Sequence, residues 1–208
     1  MRHLTIQTTY AAFTNQGFLL NEVSLGADLV LTGSSLSALR TQIVEDNLYQ
    51  LSSKASRQTI ATAVIDRLEP LDDTYLAFLA EGSLELRKLS NLVLILLRHR
   101  LLREFIAEVI NEQLLRFSYE LKKADINAFF ERKQIQVPEL AEWTEQTIGK
   151  SRRNILTICS DAGLIEASIK GNYRIRPQYV PRALRDALDE LGLEALLPLL
   201  LDQGAVRA

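Results

Sequence analysis

The stretch PELAEWTEQTIGKSRRNILTICSDAGLIEASIKGNYRIRPQYV, Pro138 to Val180, decides how this chain folds. A proline in the first turn starts a short helix from Pro138 to Trp143. Thr144-Glu145-Gln146-Thr147 then reads as a capping box, a hydroxyl at the cap with Glu or Gln inside the first turn. The helix that follows, to Ala162, sets Ile148, Ile155, Leu156, Cys159 and Ala162 on one face. Its other face carries Gln146, Lys150, Arg153, Asn154 and Thr157, with no acid before Asp161. Gly163 supplies a C-terminal stop. Leu164–Ile169 and Tyr173–Arg176 flank Lys170-Gly171-Asn172, two roughly alternating runs around a Gly/Asn turn, which is a hairpin signature. A short helix, a turn, a polar-faced helix and a basic-tipped hairpin is the order of a winged helix-turn-helix. Such a module lays its second helix in the major groove of DNA.

The charge of this segment departs from that of the whole. Between Thr144 and Arg182 seven cations (Lys150, Arg152, Arg153, Lys170, Arg174, Arg176, Arg182) face three acids, Glu145, Asp161 and Glu166, in a chain of net charge −2. Lys150, Arg153 and Asn154 share one helix face and are the candidates for reading base edges, with Gln146, Arg152 and Thr157 beside them. Lys170, Asn172, Arg174 and Arg176 suit phosphate oxygens, which position a protein on DNA without specifying sequence. The competing reading is a protein-interaction adaptor, RNA- or transcription-linked, whose basic face docks an acidic partner. Charge alone is not recognition.

Working outward, helical spacing covers residues 18–31 and ends at Gly33, and Ser34 and Ser35 offer caps for a helix from Leu36 to Leu51. Ser52-Ser53 cap a further helix, Lys54 to Leu68, which Pro70 ends. This pair forms a second, N-terminal helix-turn-helix, with Lys54, Arg57 and Gln58 at the end that would reach DNA. Asp72-Asp73 start a short helix through Leu79, and Ser83 opens a long one through Arg98. Another runs from Leu101 to Leu121, and Asp125 to Lys133 makes a short one. The first fifteen residues show no period and read as an arm or a short strand. The expected organisation is an N-terminal unit over 1–70, a central helical bundle over 71–137, and a C-terminal winged helix with a helical tail over 138–208.

Composition narrows the function. One cysteine, Cys159, excludes an internal disulfide, and with only His3 and His99 besides, a multi-histidine metal centre is excluded too. Cys159 falls on the apolar face of its helix and reads as a small buried hydrophobe. Thr144 to Ser151 imitates the end of a phosphate-binding P-loop, but threonine replaces its first glycine. Glu104, Glu108 and Glu112 line one helix face without the histidines of a di-iron site, and read as a solvated face. His99, between Arg98 and Arg100, reads as facing water or phosphate. The most apolar run, Leu92–Leu97, is far short of the roughly 20 residues a bilayer span needs. Met1-Arg2-His3 opens no secretory signal. The expectation is a cytoplasmic non-enzyme with no cofactor. The apolar tail, Leu199 to Leu201, either supports self-association or covers the bundle.

The motifs together resemble the BrxA family of bacterial BREX phage-defence systems. The residues that carry the resemblance begin with Phe13-Thr14-x-x-Gly17, Leu19-Leu20-Asn21-Glu22, Asp46-Asn47-Leu48 and Ser56-Arg57 leading to Asp66-Arg67-Leu68. They continue with Arg98-x-Arg100-Leu101-Leu102-x-x-Phe105-Ile106-x-Glu108-Val109, Phe129-Phe130-x-x-Lys133, Trp143-Thr144-x-x-Thr147 and Asp161–Ile165. The resemblance implies a mainly α protein, with winged-helix-type modules at both ends and a helical core compared with the antitermination factor NusB. It also implies double-stranded DNA and other BREX proteins as partners, and brings no catalytic residue with it.

Overall fold

The computed structural model describes residues 4–13 and 17–202; Met1–His3 and Thr14, used above, lie outside them. The described chain is mainly helical, with eleven α-helices and a three-stranded sheet. It divides into two compact units, Met1–Leu4 with Leu19–Leu94, and Thr5–Phe18 with Ile95–Ala208.

The first unit holds α1 (Leu20–Leu31), α2 (Leu36–Val44), α3 (Lys54–Leu68), α4 (Asp73–Ala80) and most of α5 (Leu84–Arg98). Short polar side chains start three of these helices by taking orphan backbone N–H groups. Ser35 Oγ accepts from the Ala38 amide and Ser53 Oγ from the Ser56 amide, each at 3.1 Å, and Asp72 Oδ1 accepts from the Tyr75 amide at 2.9 Å. The second helix stops at Val44 rather than Leu51. Asn47 and Gln50 take positive φ of 57° and 54°, and Asn47 grips Leu51 through both amide atoms, so the helix cannot continue. Helix α1 packs on α2, α3 and α4, and at Gly26 a Cβ would meet Leu68 Cδ1 of α3 at 3.0 Å and Val64 Cγ1 at 3.1 Å. From Leu89 to Leu97 every residue of α5 is buried, the polar Ser90 and Asn91 included.

The second unit begins with an extended arm, Thr5–Phe13. Helix α6 (Arg100–Phe105) runs without a break into a π-helical segment, Ile106–Asn111, and then into α7 (Glu112–Leu115). The periodic apolar pattern predicts one helix to Leu121, yet the helix ends at Leu115. There the Ser118 amide reaches back to Gln113 O and the Phe117 amide to Leu114 O, each at 2.9 Å, with Phe117 at φ 55°. This is a Schellman stop with phenylalanine where glycine usually stands. The chain continues through β1 (Glu120–Leu121), α8 (Lys123–Gln136), α9 (Pro138–Ala141), α10 (Glu145–Asp161), β2 (Ile165–Ala167) and β3 (Tyr173–Ile175). Helix α11 (Arg182–Glu190) and a 3-10 segment, Glu194–Leu200, close it.

The sheet is antiparallel in the order β1-β3-β2, with Glu120 and Glu166 both opposite Arg174 and Leu121 opposite Tyr173. Leu121, Ile165 and Ile175 are buried, whereas Glu120, Glu166 and Arg174 are exposed on the other face. Phe105, Phe129 and Phe130 are fully buried and pack on one another, with Phe129 edge-on at 5.3 and 5.2 Å from its neighbours. Cys159 is buried, and burial pushes its thiol well above the usual range. The tail covers the core: Leu196, Leu200 and Leu201 are buried, and Asn111 Nδ2 donates to Pro198 O at 3.0 Å.

Two expectations are corrected. His99 stacks on Phe13 with ring centroids 3.8 Å apart, so it packs the arm instead of facing water or phosphate. Glu104 and Glu108 do not form a solvated face. Both hold the buried Lys133 ammonium, at 2.7 and 2.6 Å, because the partner that makes them structural lies a helix away in α8.

Candidate nucleic-acid interface

Helix α10 starts where Thr144 Oγ1 accepts from the Thr147 amide at 3.2 Å, and ends at Gly163, φ 84°. Ile148, Ile155, Ile158 and Cys159 anchor its inner side. Along the outer side Gln146, Arg153 and Thr157 are exposed and Lys150 is half-buried, one row a turn apart. Among the described residues no side-chain hydrogen bond or ion pair engages Lys150 or Arg153.

Two of the residues assigned to that surface have other work. Asn154 is half-buried and donates through Nδ2 to Phe13 O at 2.8 Å, while the Phe13 amide donates to the buried Ser151 Oγ at 3.3 Å. Arg152 is half-buried, donates to Asn127 Oδ1 of α8 at 3.1 Å, and lies 5.3 Å from the Phe130 ring centroid. These contacts orient α10 against the arm and α8. Neither side chain is free to reach a ligand without breaking them.

The hairpin shows the same division of labour. Arg176 is paired with Glu166, and Arg174 stands between Glu120 and Glu166 on the outer face of the sheet. Asn172 donates to Glu120 Oε1 at 3.0 Å and accepts from the Lys123 amide at 3.1 Å, closing the hairpin tip onto the start of α8. Lys170, at φ 57°, is exposed at the tip itself. Lys122 and Lys123 are exposed beside that tip. Sequence reasoning missed them because they follow Leu121 and read as the tail of a helix. The signal available was their break from the preceding apolar period.

In the first unit Lys54 is exposed and lies 3.4 Å from Glu45, Gln58 is exposed, and Arg57 is half-buried with Nη1 donating to Val44 O at 2.8 Å. Of the three N-terminal candidates, Arg57 is therefore a brace between the end of α2 and α3.

A partly buried ion network holds the arm against α6. Tyr10 donates to Glu104 at 2.8 Å, Arg100 Nε reaches Glu104 at the same distance and Thr8 O through Nη1, and Arg103 donates to Gln7 O. Burial raises the Tyr10 phenol to about 12, aided by its hydrogen bond to Glu104. Burial would raise the Glu104 carboxyl as well, but hydrogen bonds from Lys133, Arg100 and Tyr10 together hold it below its ordinary value. Beside the network, Glu108, Glu112, Gln113, Arg116, Asp125 and Arg132 line a polar hollow of about 360 Å³. Among the described residues no group of three or more His, Cys, Asp or Glu could hold a metal ion, and no helix is long and apolar enough to cross a membrane.

The profile of the BrxA family matches residues 10–192, from the arm through the end of α11. The chain belongs to the BrxA family. Among its relatives, the BREX protein BrxA of Bacillus cereus (strain H3081.97) is 31% identical over 137 residues, which span 66% of this chain and 68% of that protein. The BREX protein BrxA of Escherichia coli O9:H4 (strain HS) is 27% identical over 174 residues, 84% of this chain and 81% of the other. The crystal structure of an uncharacterized protein from Magnetospirillum magneticum shares the fold, with a TM-score of 0.75 at 20% identity over 92% of this chain and 97% of that one.

Proposed function

We propose that this chain is a non-enzymatic component of a BREX phage-defence system that binds double-stranded DNA through α10. The observation that carries the reading is the row Gln146, Lys150, Arg153 and Thr157, turned outward from a helix whose inner side is locked to α8 and the arm. Rigid presentation matters, because a side chain that reads base edges must arrive already oriented. The order β1, α8, α9, α10, β2, β3 supports a winged helix, with α10 as the helix that enters the major groove and the Ser168–Asn172 tip as the wing. The row gives hydrogen-bonding groups for bases, and Lys170 a charge for the backbone. Lys54 and Gln58 of α3 offer a weaker second contact from an N-terminal helix-turn-helix. Family membership supports other BREX proteins as partners, and a duplex-binding role would be exercised in the cytoplasm.

The test is binding of the purified protein to labelled duplex DNA across a salt series, beside Lys150→Glu/Arg153→Glu. An affinity that falls steeply with salt and is lost in the folded double variant supports the reading. Strong binding indifferent to the substitutions moves the site away from α10. No binding even at low salt overturns the DNA reading and favours an adaptor whose basic row docks an acidic protein.

A further inference from the structure

We propose that Lys122 and Lys123 join Lys170 in a second backbone grip, one that takes the phosphates of a nucleic-acid strand and reads no sequence. The inference rests on the duplex-binding reading above and assigns to it a site that lies off α10. Three observations carry it.

The first is position. The register that sets Leu121 opposite Tyr173 brings the chain after β1 alongside the hairpin tip, so residues almost fifty positions apart in sequence become neighbours. A Cβ placed on Gly171 would lie 3.6 Å from Lys123 Cδ, which puts the lysine stem against the tip backbone. The second is rigidity. The Lys123 amide donates to Asn172 Oδ1 at 3.1 Å, and Asn172 Nδ2 donates to Glu120 Oε1 at 3.0 Å, tying β1, α8 and the tip into one piece. A grip held in one geometry loses less freedom on binding than three independent lysines would.

The third is charge that remains available. The outer face of the sheet is neutralised internally, since Arg174 is flanked by Glu120 and Glu166 and Arg176 is paired with Glu166. The three lysines are exposed, and among the described residues none of their ammonium groups has an ion-pair partner. Carboxylates thus cancel the cations of the sheet and leave those of the tip. An ammonium is a compact point charge with no fixed fork, suited to phosphate oxygens and poor at telling one base from another. A cluster of compact charges fixed at one tip suits the closely and regularly spaced phosphates of a nucleic-acid backbone, and Glu120 Oε1 beside it is already engaged by Asn172.

The experiment measures binding of Lys122→Gln/Lys123→Gln and of wild type to two labelled duplexes of unrelated sequence, from low to high salt. Each phosphate contact adds about 0.9 to the slope of log affinity against log salt. The proposal expects the slope to shrink by about 2 and the affinity near 0.1 M salt to fall roughly 10-fold or more, equally on both duplexes. Lys122→Arg/Lys123→Arg keeps the charge and should bind like wild type, which guards against misfolding as the cause. Wild-type slope and affinity in the glutamine variant, alongside loss in Lys150→Glu/Arg153→Glu, overturn this proposal and leave α10 as the contact. A loss confined to one of the two duplexes also overturns it, because a backbone grip is blind to sequence. Failure of wild type itself to bind either duplex overturns the underlying DNA reading.

Discussion

The two units solve the same local problem differently. Each contains a helix opened by a hydroxyl cap and followed by cations, α3 after Ser53 and α10 after Thr144. In the first unit those cations are engaged: Lys54 lies beside Glu45, and Arg57 braces the carbonyl of Val44. In the second unit no side-chain hydrogen bond or ion pair among the described residues engages Lys150 or Arg153, and the bracing falls to their neighbours Arg152 and Asn154. The wider charge follows suit. The first unit carries seven Lys and Arg against ten Asp and Glu, a net of −3, and the second carries 17 against 16, a net of +1. A whole-chain charge of −2 hides that contrast. On the proposed reading, what separates α10 from α3 is that the first unit has neutralised the cations of its helix and the second has not.

The comparison can be broken most severely at the aromatic core of the second unit. Phe129→Ala removes the ring that both Phe105 and Phe130 pack against edge-on, and should cost about 3–5 kcal/mol of unfolding free energy in a denaturant titration. A loss under about 1 kcal/mol would mean that the three rings are not the core that supports α10. Next in size, Lys150→Glu/Arg153→Glu should weaken duplex binding about 100-fold, whereas Lys54→Glu, already beside Glu45, should change it less than about threefold. Equal losses would erase the distinction between the units.

Gly26→Val sharpens the comparison from the other side. The valine would press on Leu68 and Val64, so thermal unfolding should show the first unit weakened by about 1–3 kcal/mol. Duplex binding should survive at temperatures where the fold persists, and parallel loss of binding would show that the surface depends on both units. The smallest effect is acid sensitivity. Glu104 is held below its ordinary value of 4.5, so its contribution is complete above that pH and is lost as pH falls through the lowered value. Stability of the wild type should therefore decline on acidification, and Glu104→Gln should remove part of that slope at the cost of lower stability near neutrality. An unchanged slope would show that the network around Lys133 does not respond to acid through Glu104.

Much of this architecture is legible in the sequence, and the failures share a cause. The Thr144 cap, the Gly163 stop, the Lys54–Leu68 helix and the 164–176 hairpin are set by residues within a turn of each other, so a local reading finds them. Strand β1 is only two residues long and exists because β3 lies alongside it, and no periodicity announces it. The early end of α2 depends on the hold of Asn47 on Leu51, a contact that helical spacing alone does not reveal. At the interface, the outward row was readable from helical spacing. The roles of Asn154 and Arg152 were not, because Phe13 and Asn127 stand 141 and 25 residues away in sequence. Lys122 and Lys123 acquire a role only once the hairpin tip folds beside them.

The π-helical stretch Ile106–Asn111 leaves a length tolerance in the fold. A π-bulge accommodates one residue more than a regular helix would need, and each residue of an α-helix turns the chain by about 100°. Glu104 precedes the segment and Glu108 lies inside it, both on Lys133, whereas Glu112, beyond it, is directed to Arg116. Deletion of one residue here has a place to go: the stretch can return to ordinary winding while Glu104 on one side and the turn at Phe117 on the other each keep their neighbours. A comparable deletion in α10 would swing Arg153 away from Lys150 with nothing to take up the rotation. Length variation between family members is thus expected to collect at the bulge and to avoid the helix that carries the outward row.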